Sequence, residues 1–141
     1  MKIYCDGACW GNPGPGGWAA ILITPGHSKE ISGAEKFTTN NRMEITAALE
    51  GLKALKTAAV VHFFTDSSYL VNAATSWMAG WKARGWKRRD GELLNADLWQ
   101  ELDRELAKHQ ADWTWVKGHA GNRYNERADY LATLAIRELG L

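Results

Sequence analysis

Residues 3–23 read IYCDGACWGNPGPGGWAAILI. A short run of β-forming residues enters a turn crowded with glycine and proline, and a second apolar run, WAAILI, returns from it. Strand, turn, strand is the pattern of a hairpin. Asp6 stands inside the first run. A strand offers an acid no capping role, and burying a carboxylate unpaired is costly. Asp6 therefore calls for a cation, a hydrogen-bond network or an open cleft. The turn itself, GNPGPGG over 11–17, is not a Walker loop. It lacks the Lys-Ser/Thr pair and runs into a strand rather than a helix. Its glycines let backbone amides approach a substrate closely.

Working outward, strands are expected over 2–6 and 18–24, with a weaker one over 30–37. A helix opens at Asn40-Asn41-Arg42-Met43-Glu44, and Ile45, Ala48, Leu49, Leu52 and Leu55 form its apolar stripe. Residues 59–65, AVVHFFT, read as a strand buried on both faces. A second helix carries Leu70, Ala73, Ala74, Trp77 and Trp81, with Gly80 and Gly85 interrupting or ending it. Asp97 reads as the N-cap of a helix over 98–108. Residues 112–116 form a last strand, 117–122 a loop, and a final helix starts near Asn125. The order βββαβααβα implies an α/β fold with a mixed five-stranded sheet flanked by helices, in one domain over 1–141. Later β-α-β connections should be right-handed. Ligands in such sheets favour the carboxyl ends of parallel strands, where Asp66 stands.

The chain of 141 residues is long enough for a real core. No apolar run approaches the roughly 20 residues that span a bilayer. The start, MKIYCDG, has no signal-peptide pattern, so a cytoplasmic location is expected. Cys5 and Cys9 fit neither a zinc site nor a C-x-x-C pair and read as free thiols. The net charge of +1 is uninformative, but its distribution is not. Lys82, Arg84, Lys87, Arg88 and Arg89 cluster with no acid among them, and acids outnumber bases elsewhere. Interleaved with Trp77, Trp81 and Trp86, that segment suits phosphates and bases of a nucleic acid.

Four acids stand at element junctions: Asp6, Glu44, Asp66 and Asp129. Each has a plain structural alternative except Asp6. Glu44 with Asn41 resembles a capping box, Asp66 can cap the following helix, and Asp129 can complement a helix dipole. Together they fit a divalent-metal site, because hard cations such as Mg²⁺ take carboxylate oxygens. Converging acids without metal would repel one another and raise at least one pKa. Two ions about 3.5–4 Å apart suit phosphodiester hydrolysis. His119, in a glycine-flanked loop, can move a proton.

The sequence resembles bacterial type 1 ribonuclease H over nearly its whole length. The matching stretches are Asp6-Gly7-Ala8-Cys9 with GNPGPGG, Thr39 to Glu44, Thr65-Asp66-Ser67, Trp81-Lys82 with Arg84 to Lys87, Asn95 to Trp99, and Trp115 to Gly121 followed by Asn125-Glu126 and Asp129. The resemblance implies endonucleolytic hydrolysis of the RNA strand of an RNA/DNA hybrid, leaving 5′-phosphate and 3′-hydroxyl ends. It implies two Mg²⁺ ions, replaceable by Mn²⁺, on Asp6, Glu44, Asp66 and Asp129, with His119 assisting. It further implies RNA contacts at Cys9, Asn12, Asn40 and Ser68, and a DNA-phosphate pocket at Thr39 and Asn95. Asn41 and Trp77 would face the DNA strand, and the segment with Trp81, Lys82, Arg84, Trp86 and Lys87 would be a substrate-binding protrusion. Ala8, Phe37 and Ser68 depart from the residues frequent in the family at those places. A monomer is expected. The competing readings are a non-catalytic hybrid-binding module and a DNA nuclease on the same fold.

Overall fold

The computed structural model describes residues 1–118 and 121–140. Three strands lead: β1 (Lys2–Cys9), β2 (Gly14–Thr24) and β3 (His27–Thr38). Then come α1 (Asn40–Lys53) and β4 (Val60–Thr65). A helical stretch follows as α2 (Ser68–Asn72), a π-helical turn (Ala73–Trp77) and α3 (Met78–Ala83). The chain ends with α4 (Ala96–Leu106), β5 (Gln110–Trp115) and α5 (Arg123–Arg137). With the stretch 68–83 counted as one helix, this is the expected βββαβααβα order. The sheet runs β3-β2-β1-β4-β5, antiparallel on the β3-β2-β1 side and parallel from β1 through β4 to β5. β1 is therefore the middle strand.

Side-chain alternation on β1 and β2 splits the core. Ile3, Cys5, Ala20 and Leu22 face α1, α2 and α4, where Leu49, Leu52, Leu70, Trp99 and Leu102 are buried. Tyr4 and Ile21 face α5, packing with Ala128, Tyr124 and Leu131. α5 lies over β1, β2 and β3. β4 is consequently not buried on both faces as expected. Val61 and Phe63 are fully buried, but His62 and Phe64 on the other face are only half covered. The His62 Nδ1 and Asp112 Oδ2 atoms meet there at 2.7 Å across the β4–β5 pair.

Several expected boundaries shift for local reasons. β2 begins at Gly14, inside the stretch read as a turn. A side chain at Gly16 would strike Thr38 and Met43, and one at Gly17 would strike the Ala132 carbonyl of α5. These glycines are strand positions over which neighbouring elements press, and the turn itself is confined to the residues just before them. α1 ends at Lys53, so Leu55 lies beyond it. Gly80 does not break α3, but Gly85 ends it at φ 70°. There the Trp86 N–H reaches the Trp81 carbonyl (2.7 Å) and the Gly85 N–H the Lys82 carbonyl (3.2 Å), a Schellman closure. The cap of α4 is Asn95, at φ 63°, rather than Asp97, which sits in the first turn. Among the described residues no helix is long and apolar enough to cross a membrane.

Candidate active site

The parallel pairing of β1 with β4 sets the site. Lys2, Ile3 and Tyr4 pair with His62, Phe63 and Phe64, and the same offset carried forward brings Asp6 level with Asp66. Gly7 then admits α1: a Cβ there would lie 2.5 Å from the Glu44 nitrogen and 2.8 Å from the Met43 Cβ. The first turns of α1 thus rest directly on β1, with Glu44 beside the strand that carries Asp6. On the opposite face, the contact of Gly17 with Ala132 seats α5 and brings Asp129 to the same end of β1.

The structure brings all four acids to one place. Asp6 is buried at 4% exposure. Its pKa is pushed up to about 9, first by burial, then by the facing charges of Asp66 and Asp129. Glu44 is also buried and held above its usual range by burial, with hydrogen bonds from Ser67 and Asn40 pulling the other way. Burial pushes the neighbouring Cys5 thiol far up, so it is an inert core group. None of the ion pairs among the described residues involves any of the four acids. The structural alternatives fall away individually. The cap of α1 is Thr39, whose hydroxyl accepts from the Arg42 N–H at 3.2 Å. Ser67 rather than Asp66 caps α2. Asp129 lies beyond the first turn of α5, whose cap is Asn122.

Acid oxygens crowded without a cation have the donor chemistry a hard divalent ion takes. Among the described residues, however, no three acidic, histidine or cysteine groups form a ready-made cage. An ion would have to draw the carboxylates inward. His119 lies outside the described residues. Gly118 just before it packs on the site, since a Cβ there would stand 2.8 Å from Asp66 Oδ2.

The expected substrate residues fall into two groups. Near the acids, the Asn12 side chain accepts from the Asn40 N–H at 2.7 Å, and the Asn40 amide donates to Glu44 Oε1 at 2.8 Å. The half-buried Cys9 thiol is turned to the Thr38 and Gly14 carbonyls. Thr39 and Asn95 are joined through Arg42, which donates to Asn95 Oδ1 (3.2 Å) and forks onto Asp97 (3.1 and 2.8 Å). Asn95 also donates to the Tyr69 hydroxyl at 3.2 Å. Asn41 and Ser68 are exposed. Away from the acids, Trp77, Trp81 and Trp99 form a tilted aromatic ladder with Tyr69. An apolar cavity of about 430 Å³ opens beside it, lined by Tyr69, Trp77, Trp81, Arg88, Leu93 and Leu94. Arg84 and Lys87 are exposed and Trp86 half-buried, while Lys82 reaches Asp103 at 3.0 Å.

Three participants were not singled out by sequence reasoning. Ser67 donates to Glu44 Oε2, Arg42 braces Asn95, and the Trp115 indole N–H holds the Asp66 carbonyl at 3.0 Å. All three lie within the matching stretches, but their partners are distant in sequence.

The fold has known relatives. LC11-RNase H1, solved in complex with an RNA/DNA hybrid, shares the fold at a TM-score of 0.72 and 22% identity, with 99% of each chain covered. LC9-RNase H1, described as a type 1 RNase H with the type 2 active-site motif, superposes at a TM-score of 0.86 and 36% identity, covering 97% of this chain and 72% of that one. A ribonuclease H of Francisella philomiragia is 58% identical over 137 residues, covering 96% of this chain and 90% of that protein. The family model for RNase H matches residues 1–137. From the hairpin that carries Asp6 to the helix that carries Asp129, the chain belongs to the ribonuclease H family.

Proposed function

We propose that this protein hydrolyses the RNA strand of RNA/DNA hybrids as an endonuclease, with two divalent ions, Mg²⁺ or Mn²⁺, held by Asp6, Glu44, Asp66 and Asp129. The observation that carries this reading is the burial of Asp6 against Asp66 and Asp129, with no cationic side chain among the described residues to offset it. Bound ions would supply a nucleophilic water at neutral pH and charge neutralisation at the leaving 3′-oxygen, giving 5′-phosphate and 3′-hydroxyl ends.

The chain's own residues orient the substrate and the acids. Asp6 and Asp66 sit on adjacent parallel strands, so their backbones are held rigidly relative to one another. Asn40 and Asn12 form a polar edge beside Glu44, suited to ribose 2′-hydroxyls, which distinguish RNA from DNA. Thr39, Arg42 and Asn95 offer donors for a phosphate of the DNA strand. The exposed cations near Trp77 and Trp81 add attraction for the backbone. His119 would assist by moving a proton. The reading takes residues 1–141 as one monomeric domain. Its free thiols suit the reducing cytoplasm.

The test compares labelled RNA/DNA hybrid, double-stranded RNA and double-stranded DNA, with Mg²⁺ and with chelator. Cleavage of the hybrid's RNA strand alone, abolished by chelator and by Asp6→Asn or Asp66→Asn, is the expected result. Hybrid binding without cleavage in Mg²⁺ and Mn²⁺, or cleavage undiminished in the Asn variants, would refute it.

A further inference from the structure

The side chain of Glu44 is held from two sides. Asn40, one turn earlier on the same helix, takes Oε1 at 2.8 Å. Ser67, from a different element, donates its hydroxyl proton to Oε2. Both Glu44 and Ser67 are buried, at 8% and 6% exposure, so water does not compete for this bond.

Ser67 has little freedom to do anything else. A hydroxyl carries one proton and two lone pairs. One lone pair accepts the Leu70 N–H at 3.1 Å, which caps α2. That fixes the oxygen and leaves the proton for Glu44. The Ser67 backbone is itself braced: its N–H donates to the buried Thr65 Oγ1 at 3.1 Å, and its carbonyl accepts from Val71 at 3.2 Å. The preceding carbonyl, that of Asp66, accepts the Trp115 indole at 3.0 Å. The turn Thr65-Asp66-Ser67 is therefore a rigid bracket at the end of β4. It presents the Asp66 carboxylate and, one residue on, a hydroxyl that grips Glu44.

We propose that Ser67 is a positioning residue that ties Glu44 to the Asp66 turn, so that the acid from α1 and the acid from β4 meet an ion as one pre-set pair. The proposal rests on the reading of Glu44 and Asp66 as metal-binding acids. Without the hydroxyl, Glu44 keeps only its same-helix partner, and ion binding has to order its side chain relative to Asp66. Partners that orient a metal-binding group typically contribute 10–100-fold in affinity.

The experiment is calorimetric titration of the folded protein with Mn²⁺ in the absence of nucleic acid, accompanied by the Mg²⁺ dependence of hybrid cleavage. Ser67→Gly is the central variant, because glycine is nearly as good a helix cap as serine but has no hydroxyl. Ser67→Ala removes both roles, and Ser67→Thr keeps both. The expected result is Mn²⁺ binding about 10-fold weaker in Ser67→Gly and Ser67→Ala, near normal in Ser67→Thr, with cleavage recovering at high Mg²⁺. A purely structural role for Ser67 would lower the melting temperature of Ser67→Ala, spare Ser67→Gly, and leave Mn²⁺ affinity unchanged in both. That outcome overturns the proposal, as does Ser67→Thr binding as weakly as Ser67→Ala. Glu44→Gln separates the two levels. If it binds Mn²⁺ like the parent protein, the assignment of Glu44 to the metal site falls and the proposal with it. If it loses binding while Ser67→Gly does not, only the role of Ser67 falls.

Discussion

Replacing Gly7 with alanine probes the contact that sets the depth of Glu44. The added Cβ would lie 2.5 Å from both the Glu44 nitrogen and the Met43 carbonyl carbon, where ordinary contact begins at 3.4 Å. The neighbours are helix backbone and cannot rotate away. Relief therefore requires the start of α1 to retreat from β1 by about 1 Å, the difference between those distances. Overpacking of this kind costs about 1–3 kcal/mol. The same retreat carries Glu44 away from Asp6 and Asp66, and a 1 Å misplacement at a reacting site can cost about 100-fold in rate. Urea unfolding followed by circular dichroism measures the first effect. Hybrid cleavage without urea, at a temperature where the variant is folded, measures the second. Gly26→Ala, at a turn with open space around it, serves as the comparison for a glycine whose only constraint is its φ of 80°. A Gly7→Ala protein with parental stability and parental cleavage would refute the account of how α1 is seated.

Asp6 predicts a pH dependence. Its folded pKa of about 9 exceeds its ordinary value of 3.8, so the metal-free folded state holds a proton that the unfolded chain has released. Stability of the metal-free protein should fall as pH rises from about 4 to about 9. Asp6→Asn should flatten that slope, melt higher than the parent at about pH 8, and lose cleavage; parallel melting-temperature profiles for the two proteins would refute this. Arg42→Ala breaks the fork to Asp97, but that pair is exposed at 32% and 66%, so the stability loss should stay below about 1 kcal/mol by urea melt. Its larger effect should be weaker hybrid binding, through the loosened Asn95. Neutralising Lys82, Arg84 and Lys87 together should reduce the salt slope of hybrid binding by about one for each phosphate these side chains neutralise. Lys82, already paired with Asp103, should contribute least. An unchanged slope would remove the phosphate role of this segment.

The element order was legible because it rests on short-range patterns, while the convergence of the acids was expected from their places at element junctions and from the family resemblance. Asp6 stands out in a strand, and Asp66 follows directly on an apolar run. Strand pairing then does the rest. What stays hidden depends on partners far along the chain. Gly16 and Gly17 look like turn residues until Met43 and Ala132, respectively, are seen to press on them. Asp97 resembles a cap because nothing local announces that Asn95 adopts a left-handed conformation and that Arg42 claims Asp97. The run AVVHFFT has the composition of a strand buried on both faces, but the reach of α5 stops short of His62. Ser67 looks like an ordinary helix cap, which it is, and its second bond is to a residue 23 positions earlier.

The central place of β1 also has a kinetic consequence. Amide hydrogens exchange slowest where opening requires the whole domain to unfold, and fastest where an edge frays. β1 is hydrogen-bonded on both sides, whereas β5 is an edge strand that is mostly exposed. The amides of β1 should therefore be among the slowest to exchange, and those of β5 should open by local fluctuation. Such an opening would lift away the Trp115 indole and the Gly118 backbone that touch Asp66. It would leave the β1–β2 ladder beneath Asp6 intact. One side of the acid cluster is thus built on the most persistent part of the molecule and the other on a part that opens, so loosening near Asp66 need not begin with global unfolding.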